Sequence, residues 1–256
     1  MCEGTPPERF RVEHAHYVED IPFWRALAGE IGGPVLDVGA AVGRVTLPLA
    51  RDGHEVWPVD RSAGMLRELE RSLAAETAEV AGRVHPVRAD ARDFALGRLF
   101  PLVIMPMNTL QALLTRDEQL ACLRCVRRHV TGDGTFCFDV AVPDLDGIER
   151  LLGQVQTGAT WRDMDSGVTL AHSAWFESVD RDTGTVAFTA RIDEDPPGGA
   201  TVTHLRPHTV HLFDPSELWE LLVDAGLEVR AVYGGFDAGP LEPGSERQIY
   251  RCGVAR

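Results

Sequence analysis

Hydrophobic residues along this chain switch repeatedly between helical and strand-like spacing. Over Tyr17–Glu30, Phe23, Trp24 and Leu27 recur at helical intervals with Ile31 just beyond, and Pro22 suits a first turn. Val35–Val38 is a short apolar strand. Val45, Leu47 and Leu49 predict a helix from Arg44 to Arg51, in which Pro48 is awkward. His54–Val59 reads as a second strand. Ser62 is a plausible N-cap for a helix reaching Val80, with Met65, Leu66, Leu69 and Leu73 on one face. Val84–Arg88 is a third strand, and the wholly apolar Leu102–Met107 reads as a central strand buried on both faces. Thr115–Val130 is helical, with Asp117 and Glu118 at its positive end and Arg127, Arg128 and His129 at its negative end. A turn at Thr131–Gly134 leads into a fifth strand, Thr135–Val140.

Beyond this the pattern changes. Thr169–Val179 and Thr185–Asp193 are β-like and joined by Asp180-Arg181-Asp182-Thr183-Gly184. Thr201–Phe213 follows Pro196-Pro197-Gly198-Gly199. These predict an antiparallel hairpin plus one strand. Ser216–Ala225 then reads as a helix closed by Gly226, and Leu227–Tyr233 and Gln248–Val254 as two last strands. Strands alternating with helices predict an α/β protein, 1–142 and 213–256, with 143–212 inserted after the fifth strand. A small sheet in that place is expected to stand over the carboxyl ends of the parallel strands, where ligands bind in open α/β folds. A homodimer contact is its other use.

Charge narrows the partners. The net charge is −14, and no basic run is long enough to track phosphates, so a nucleic-acid partner is excluded. No stretch of about 18 uninterrupted apolar residues predicts a transmembrane span. The N-terminus lacks the basic region and apolar core of a secretory signal, so a cytoplasmic protein is expected. Of the cysteines Cys2, Cys122, Cys125, Cys137 and Cys252, the pair Cys122 and Cys125 has CxxC spacing, but it lies inside a helical pattern without a second pair. Free thiols are expected rather than zinc, and no metal-ligand cluster stands out.

The chemistry concentrates at Val35-Leu36-Asp37-Val38-Gly39-Ala40-Ala41-Val42-Gly43-Arg44, followed by Val56-Trp57-Pro58-Val59-Asp60. A strand enters a glycine-bearing turn, the turn opens a helix, and the next strand ends in a lone carboxylate. Gly39 lets the turn bend, Gly43 allows close approach at the helix start, and Asp60 stands where a carboxylate can accept both hydroxyls of a ribose. The Gly-x-Gly-x-x-Gly spacing that seats a dinucleotide pyrophosphate is absent. The segment resembles motif I of the class I S-adenosylmethionine-dependent methyltransferases, acidic-x-Gly-x-Gly-x-Gly, through Asp37, Gly39 and Gly43. Ala41 replaces the middle glycine. The run Met107–Leu114 and the tail Pro240–Tyr250 resemble the bacterial small-molecule group of that family.

The resemblance implies a Rossmann-like seven-stranded, mostly parallel sheet with helices on both faces, its last strand antiparallel, plus the small antiparallel β lid. It implies S-adenosylmethionine as cofactor, S-adenosylhomocysteine as product, and methyl transfer to an amine or hydroxyl of a small natural-product or sugar scaffold. Asp37, Gly39, Ala40 and Gly43 would line the methionine end, with Arg44 toward the cofactor carboxylate. Asp60, with Arg61 beside it, would take the ribose. Met65 would lie against adenine, although a core position suits it as well. Asp90 and the backbone of Ala91 would read the adenine edge, with Asp93 the competing acid. Met107 and Asn108 would flank the sulfonium. For the acceptor side the candidates are His208, Arg206 and Tyr17. His204, Arg206 and His208 share one strand face, and His172 and His211 are further lid histidines. The altered loop at Ala40-Ala41-Val42 motivates an alternative, a cofactor-bound enzyme that rearranges, cyclises or eliminates without methylating.

Overall fold

The computed structural model describes residues 6–164 and 166–255; Cys2 and the start of the N-terminal stretch read for a secretory signal lie outside them. In chain order the elements are α1 (Pro7–Glu13), α2 (Ile21–Ile31), β1 (Val35–Val38), α3 (Thr46–Arg51), β2 (Val56–Asp60), α4 (Ala63–Leu73), α5 (Ala78–Ala81), β3 (Val87–Arg88) and β4 (Phe100–Met105). A 3-10 turn (Thr109–Ala112), α6 (Arg116–Arg127), β5 (Val130–Ala141), α7 (Leu145–Arg150), β6 (Gln156–Arg162), β7 (Thr169–Asp180), β8 (Thr185–Asp195), β9 (Val202–His211), α8 (Pro215–Asp224), β10 (Leu227–Tyr233) and β11 (Arg247–Val254) follow. They form two compact units. One is Val18–Val142 with Phe213–Arg256; the other joins the described residues up to Tyr17 to Pro143–Leu212.

The larger unit holds a seven-stranded sheet in the order β10-β11-β5-β4-β1-β2-β3, with β11 antiparallel to both neighbours and the other pairings parallel. Strand alternation sorts its core into two layers. Leu36, Val38, Val103, Met105, Phe136 and Phe138 pack with Leu123 and Val126 of α6 and Leu218, Leu221 and Leu222 of α8. Val35, Leu102, Ile104, Cys137 and Ile249 face the other way, against Trp24 of α2, Leu49 of α3 and Leu66 and Leu69 of α4. Pro48 is tolerated because it falls in the first turn of α3, where its missing N–H has no helical partner to lose. Cys122, Cys125, Cys137 and Cys252 are buried free thiols.

Several expected boundaries move. The helix from Ser62 stops at Leu73, because Thr77 accepts from Val80 N at 3.3 Å and caps a separate turn, α5. The third strand shrinks to Val87–Arg88, with Val84 bridging only Val56; Pro86, which has no N–H to donate, interrupts it. Thr131–Gly134 is not a turn before β5 but lies inside it: the register jumps from Phe100↔Val130 to Leu102↔Thr135, so these residues form a bulge in a continuous strand.

The smaller unit is a four-stranded antiparallel meander, β6-β7-β8-β9, one strand more than expected. The hairpin between β7 and β8 is as read. The missed strand, β6, contains Thr157-Gly158-Ala159-Thr160 and carries almost no apolar signal. Gly158 is required there, since a Cβ would lie 2.7 Å from His172 Nδ1. On one sheet face, Ile148 of α7 packs with Val186, Val210 and Phe188. Toward the other end, α1 lays Arg9 onto Glu194 and His204, and Glu13 onto Arg206. The N-terminal helix therefore belongs with the insert, not with the core to which residues 1–142 were assigned.

Candidate functional site

The carboxyl ends of β1, β4 and β5 gather the charged residues of the larger unit. Register places Asp37 beside Ile104 and Ile104 beside Cys137, so alternation turns Asp37 and Asp139 to one face of the sheet. Both are fully buried. Arg247, two residues before the Ile249 that pairs with Asp139, shares that face. Asp20, ahead of α2, and Arg44, ahead of α3, complete the layer.

Within it the contacts are specific. Arg44 donates Nη1 and Nη2 to the two oxygens of Asp20 at 2.5 and 2.7 Å, and Trp24 Nε1 donates to Asp20 at 3.0 Å. Arg247 Nη1 donates to Asp139 Oδ2 at 2.8 Å and to Asn108 Oδ1 at 3.2 Å. Thr46 Oγ1 donates to Asp37 Oδ2 at 2.6 Å, whereas Asp37 Oδ1 is buried with no hydrogen-bond partner. Three buried carboxylates thus meet two guanidiniums, and the surplus acceptor is on Asp37. Burial pushes Asp37 up to about 6, against the Thr46 hydrogen bond and the Arg44 charge. Burial likewise raises Asp139 to about 6, against Arg247 and the Met107 N–H.

The glycine loop is held from below. Gly39 and Ala40 donate their N–H groups to Val59 O at 2.8 and 3.1 Å, and Ala41 N donates to Asp60 Oδ2 at 2.9 Å. Asp60 Oδ1 also accepts from Ser62 N at 2.8 Å, so the carboxylate braces the loop and the start of α4; the helix cap itself is Ser62. Ala41 lies at φ +47, the left-handed conformation that a glycine adopts without strain. Gly39 and Gly43 are fixed by their neighbours: a Cβ would lie 2.4 Å from Thr109 Cγ2 or from Leu69 Cδ1, respectively. It is α4 that crowds Gly43.

The remaining candidates fall as follows. Met65 is buried on α4, and Arg61 is exposed. Asp90 is bracketed by Arg92, whose Nε and Nη2 donate to it at 2.9 and 2.7 Å and hold its carboxyl below the usual range. Ala91 is half-buried. Met107 and Asn108 leave β4 at φ +61 and +56, two consecutive left-handed residues without a glycine. Such backbone costs roughly 1–2 kcal/mol per residue and collects at functional sites. Tyr17, Arg206 and His208 belong to the smaller unit. There Arg206 Nη2 reaches Glu13 at 3.5 Å, while its Nε is buried without a partner. His208 lies 5.0 Å from the Phe188 ring, and burial, with Arg206 and His172 nearby, lowers its pKa, so it is neutral at pH 7.

Four residues escaped the sequence reading: Asp20, Asp139, Arg247 and Gln111. The buried Gln111 accepts from Ala141 N through Oε1, and its Nε2 has no partner. Asp139 left a trace as the lone acid in Phe136-Cys137-Phe138-Asp139-Val140. Asp20 falls inside the predicted Tyr17–Glu30 helix, and nothing local marks either it or Arg247.

A family model described as a methyltransferase domain matches residues 35–134, from β1 into β5. The cypemycin N-terminal methyltransferase of a Streptomyces species is 31% identical over 112 residues, which are 44% of this chain and 43% of that protein. The chain thus aligns with less than half the length of that curated relative. Over nearly the whole chain the fold matches the CcbJ methyltransferase of Streptomyces caelestis, at TM-score 0.75 and 27% identity, covering 94% of this chain and 98% of that one. The sugar N-methyltransferase KedS8 of a Streptoalloteichus species shares the fold at TM-score 0.71 and 19% identity, covering 97% and 92%. Together these similarities support a class I S-adenosylmethionine-dependent methyltransferase.

The residues present fit that cofactor. Its ammonium is a cation with donors to spare, and the buried layer has one carboxylate oxygen, Asp37 Oδ1, lacking a donor. Because Asp37 keeps its proton to higher pH in the folded chain than in the unfolded one, its contribution to folding is full below about 4 and is lost as pH rises through about 6. A bound cation opposes that loss. Affinity for S-adenosylhomocysteine is therefore expected to be flat above about pH 6.5 and to fall up to about tenfold per pH unit below 6. In Asp37→Asn most of this dependence should vanish, as calorimetry at pH 5–8 would show. In urea denaturation, Ala41→Gly should stabilise the chain by about 1 kcal/mol by removing left-handed strain. Gly43→Ala should destabilise it by about 1–3 kcal/mol, from strain and the clash with Leu69.

Proposed function

We propose that the protein transfers a methyl group from S-adenosylmethionine to an amine of a small natural-product or sugar-like molecule in the cytoplasm. The observation that carries the reading is the bare buried oxygen of Asp37 beside a glycine loop braced by Asp60. Asp37 takes the cofactor ammonium. Gly39, Ala40 and Gly43 form the loop around its methionine end. Asp60 offers its remaining lone pairs to the ribose hydroxyls, with Arg61 adjacent, and Asp90 and Ala91 read the adenine edge. Met65 closes the site from α4, and Met107 and Asn108 flank the sulfonium. Arg44 acts from within the layer, through Asp20, rather than directly on the cofactor carboxylate.

When bound, the cofactor supplies a methyl carbon on a sulfonium leaving group. The protein's task is to align an acceptor in line with that bond and to exclude water. An amine has only to arrive with its lone pair free; its proton leaves after the new bond forms. In this reading His208, neutral at pH 7, receives that proton, and Arg206 and Tyr17 orient the acceptor. The choice of an amine over a hydroxyl is supported by the N-terminal methyltransferase relative. The non-methylating alternative loses its motive, because Ala41 holds the left-handed shape a glycine would give.

Incubation with isotope-labelled S-adenosylmethionine and a panel of amino sugars, peptide N-termini and phenols tests this by mass spectrometry. Label is expected on amines. Labelled phenols with silent amines would overturn the amine assignment, and failure to bind S-adenosylhomocysteine at millimolar concentration would overturn the whole reading. Arg206→Ala with His208→Ala should abolish labelling while leaving S-adenosylhomocysteine affinity within about twofold, below 0.5 kcal/mol.

A further inference from the structure

The turn that follows β4 holds strained backbone at two residues in a row. Met107 and Asn108 are consecutive left-handed residues, and neither is glycine. Such a turn persists only where its surroundings fix it. Two groups do so here. Asp139 Oδ1 accepts from Met107 N at 2.6 Å, and Arg247 Nη1 donates both to Asn108 Oδ1 at 3.2 Å and to Asp139 Oδ2 at 2.8 Å. The contacts close a ring that ties the ends of β4, β5 and β11. Thr109 Oγ1 fastens the far side of the turn by donating to Pro106 O at 2.7 Å.

A buried ion pair is a poor choice if the only requirement is to hold strands together. Well-packed apolar side chains do that without desolvating two charges. Asp139 is fully buried, and the Arg247 side chain is 22% exposed. What an apolar pair lacks is an acceptor for the Met107 N–H and a donor for the Asn108 side chain, the groups that select the left-handed turn.

We propose that Asp139 and Arg247 are positioning residues for the sulfonium end of the methyl donor, acting through the Met107–Asn108 turn. The proposal rests on the reading above, in which that turn flanks the sulfonium. Neither residue touches the cofactor. They set the backbone that does, while the adenosine end is left to Asp60 at the end of β2 and Asp90 just beyond β3.

The separation of the two ends provides the test. Binding of S-adenosylhomocysteine and of adenosine would be measured for the full chain and for Asp139→Asn and Arg247→Gln, by calorimetry and ligand-observed NMR respectively. Both variants are expected to lose at least tenfold in S-adenosylhomocysteine affinity while adenosine affinity stays within twofold. Equal losses for both ligands would reduce the pair to a structural strut, and unchanged affinity for both would remove it from the site; either result overturns the proposal. Should Asp139→Asn fail to fold, Arg247→Gln alone decides, since its side chain is partly solvated and its loss leaves the Met107 N–H bond in place. If the unsubstituted chain does not bind S-adenosylhomocysteine, it is the methyltransferase reading that fails, a result separate from any difference among variants.

Discussion

An unbalanced layer of charge, buried on one face of the larger sheet, is the constraint around which the carboxyl ends of the strands are arranged. Asp20, Asp37 and Asp139 face Arg44 and Arg247, and each guanidinium is committed to a carboxylate other than Asp37. Water cannot screen Asp37, so its charge is carried only by Thr46 and by the field of Arg44. A protein tolerates such an arrangement when a ligand completes it. The same imbalance gives the site its polarity, because a cation is wanted at Asp37 and an anion there would be repelled.

The loop above the layer follows from sterics. Thr109 and Leu69 leave no room for a Cβ at Gly39 or Gly43, so those glycines serve the protein's own packing as much as any cofactor. Ala41 shows the reverse case. Its side chain fits, its backbone is strained, and the bond from its N–H to Asp60 holds it there. The three glycine positions of the motif thus separate into two that are sterically demanded and one, held by Ala41, that bears strain.

Much of this was legible in the sequence because the signals are local. Val35–Val38, Leu227–Tyr233 and the β7–β8 hairpin announce themselves through short-range pattern, and Asp37 and Asp60 through their places at strand ends. What escaped depends on register. Thr131–Gly134 looks like a turn and becomes a bulge because β4 continues alongside it. Strand β6 has no apolar stripe, and the close approach of Gly158 to His172 emerges only once β7 is laid beside it. Asp139 and Arg247 lie more than 100 residues apart in sequence and meet only once the antiparallel β11 is laid against β5.

The most direct test of the central claim is a crystal structure of the protein with S-adenosylhomocysteine. The ligand's ammonium is expected within about 3 Å of Asp37 Oδ1, the one carboxylate oxygen of the layer that lacks a donor. A bound ligand whose ammonium lies elsewhere, with Asp37 Oδ1 still bare, would contradict the account.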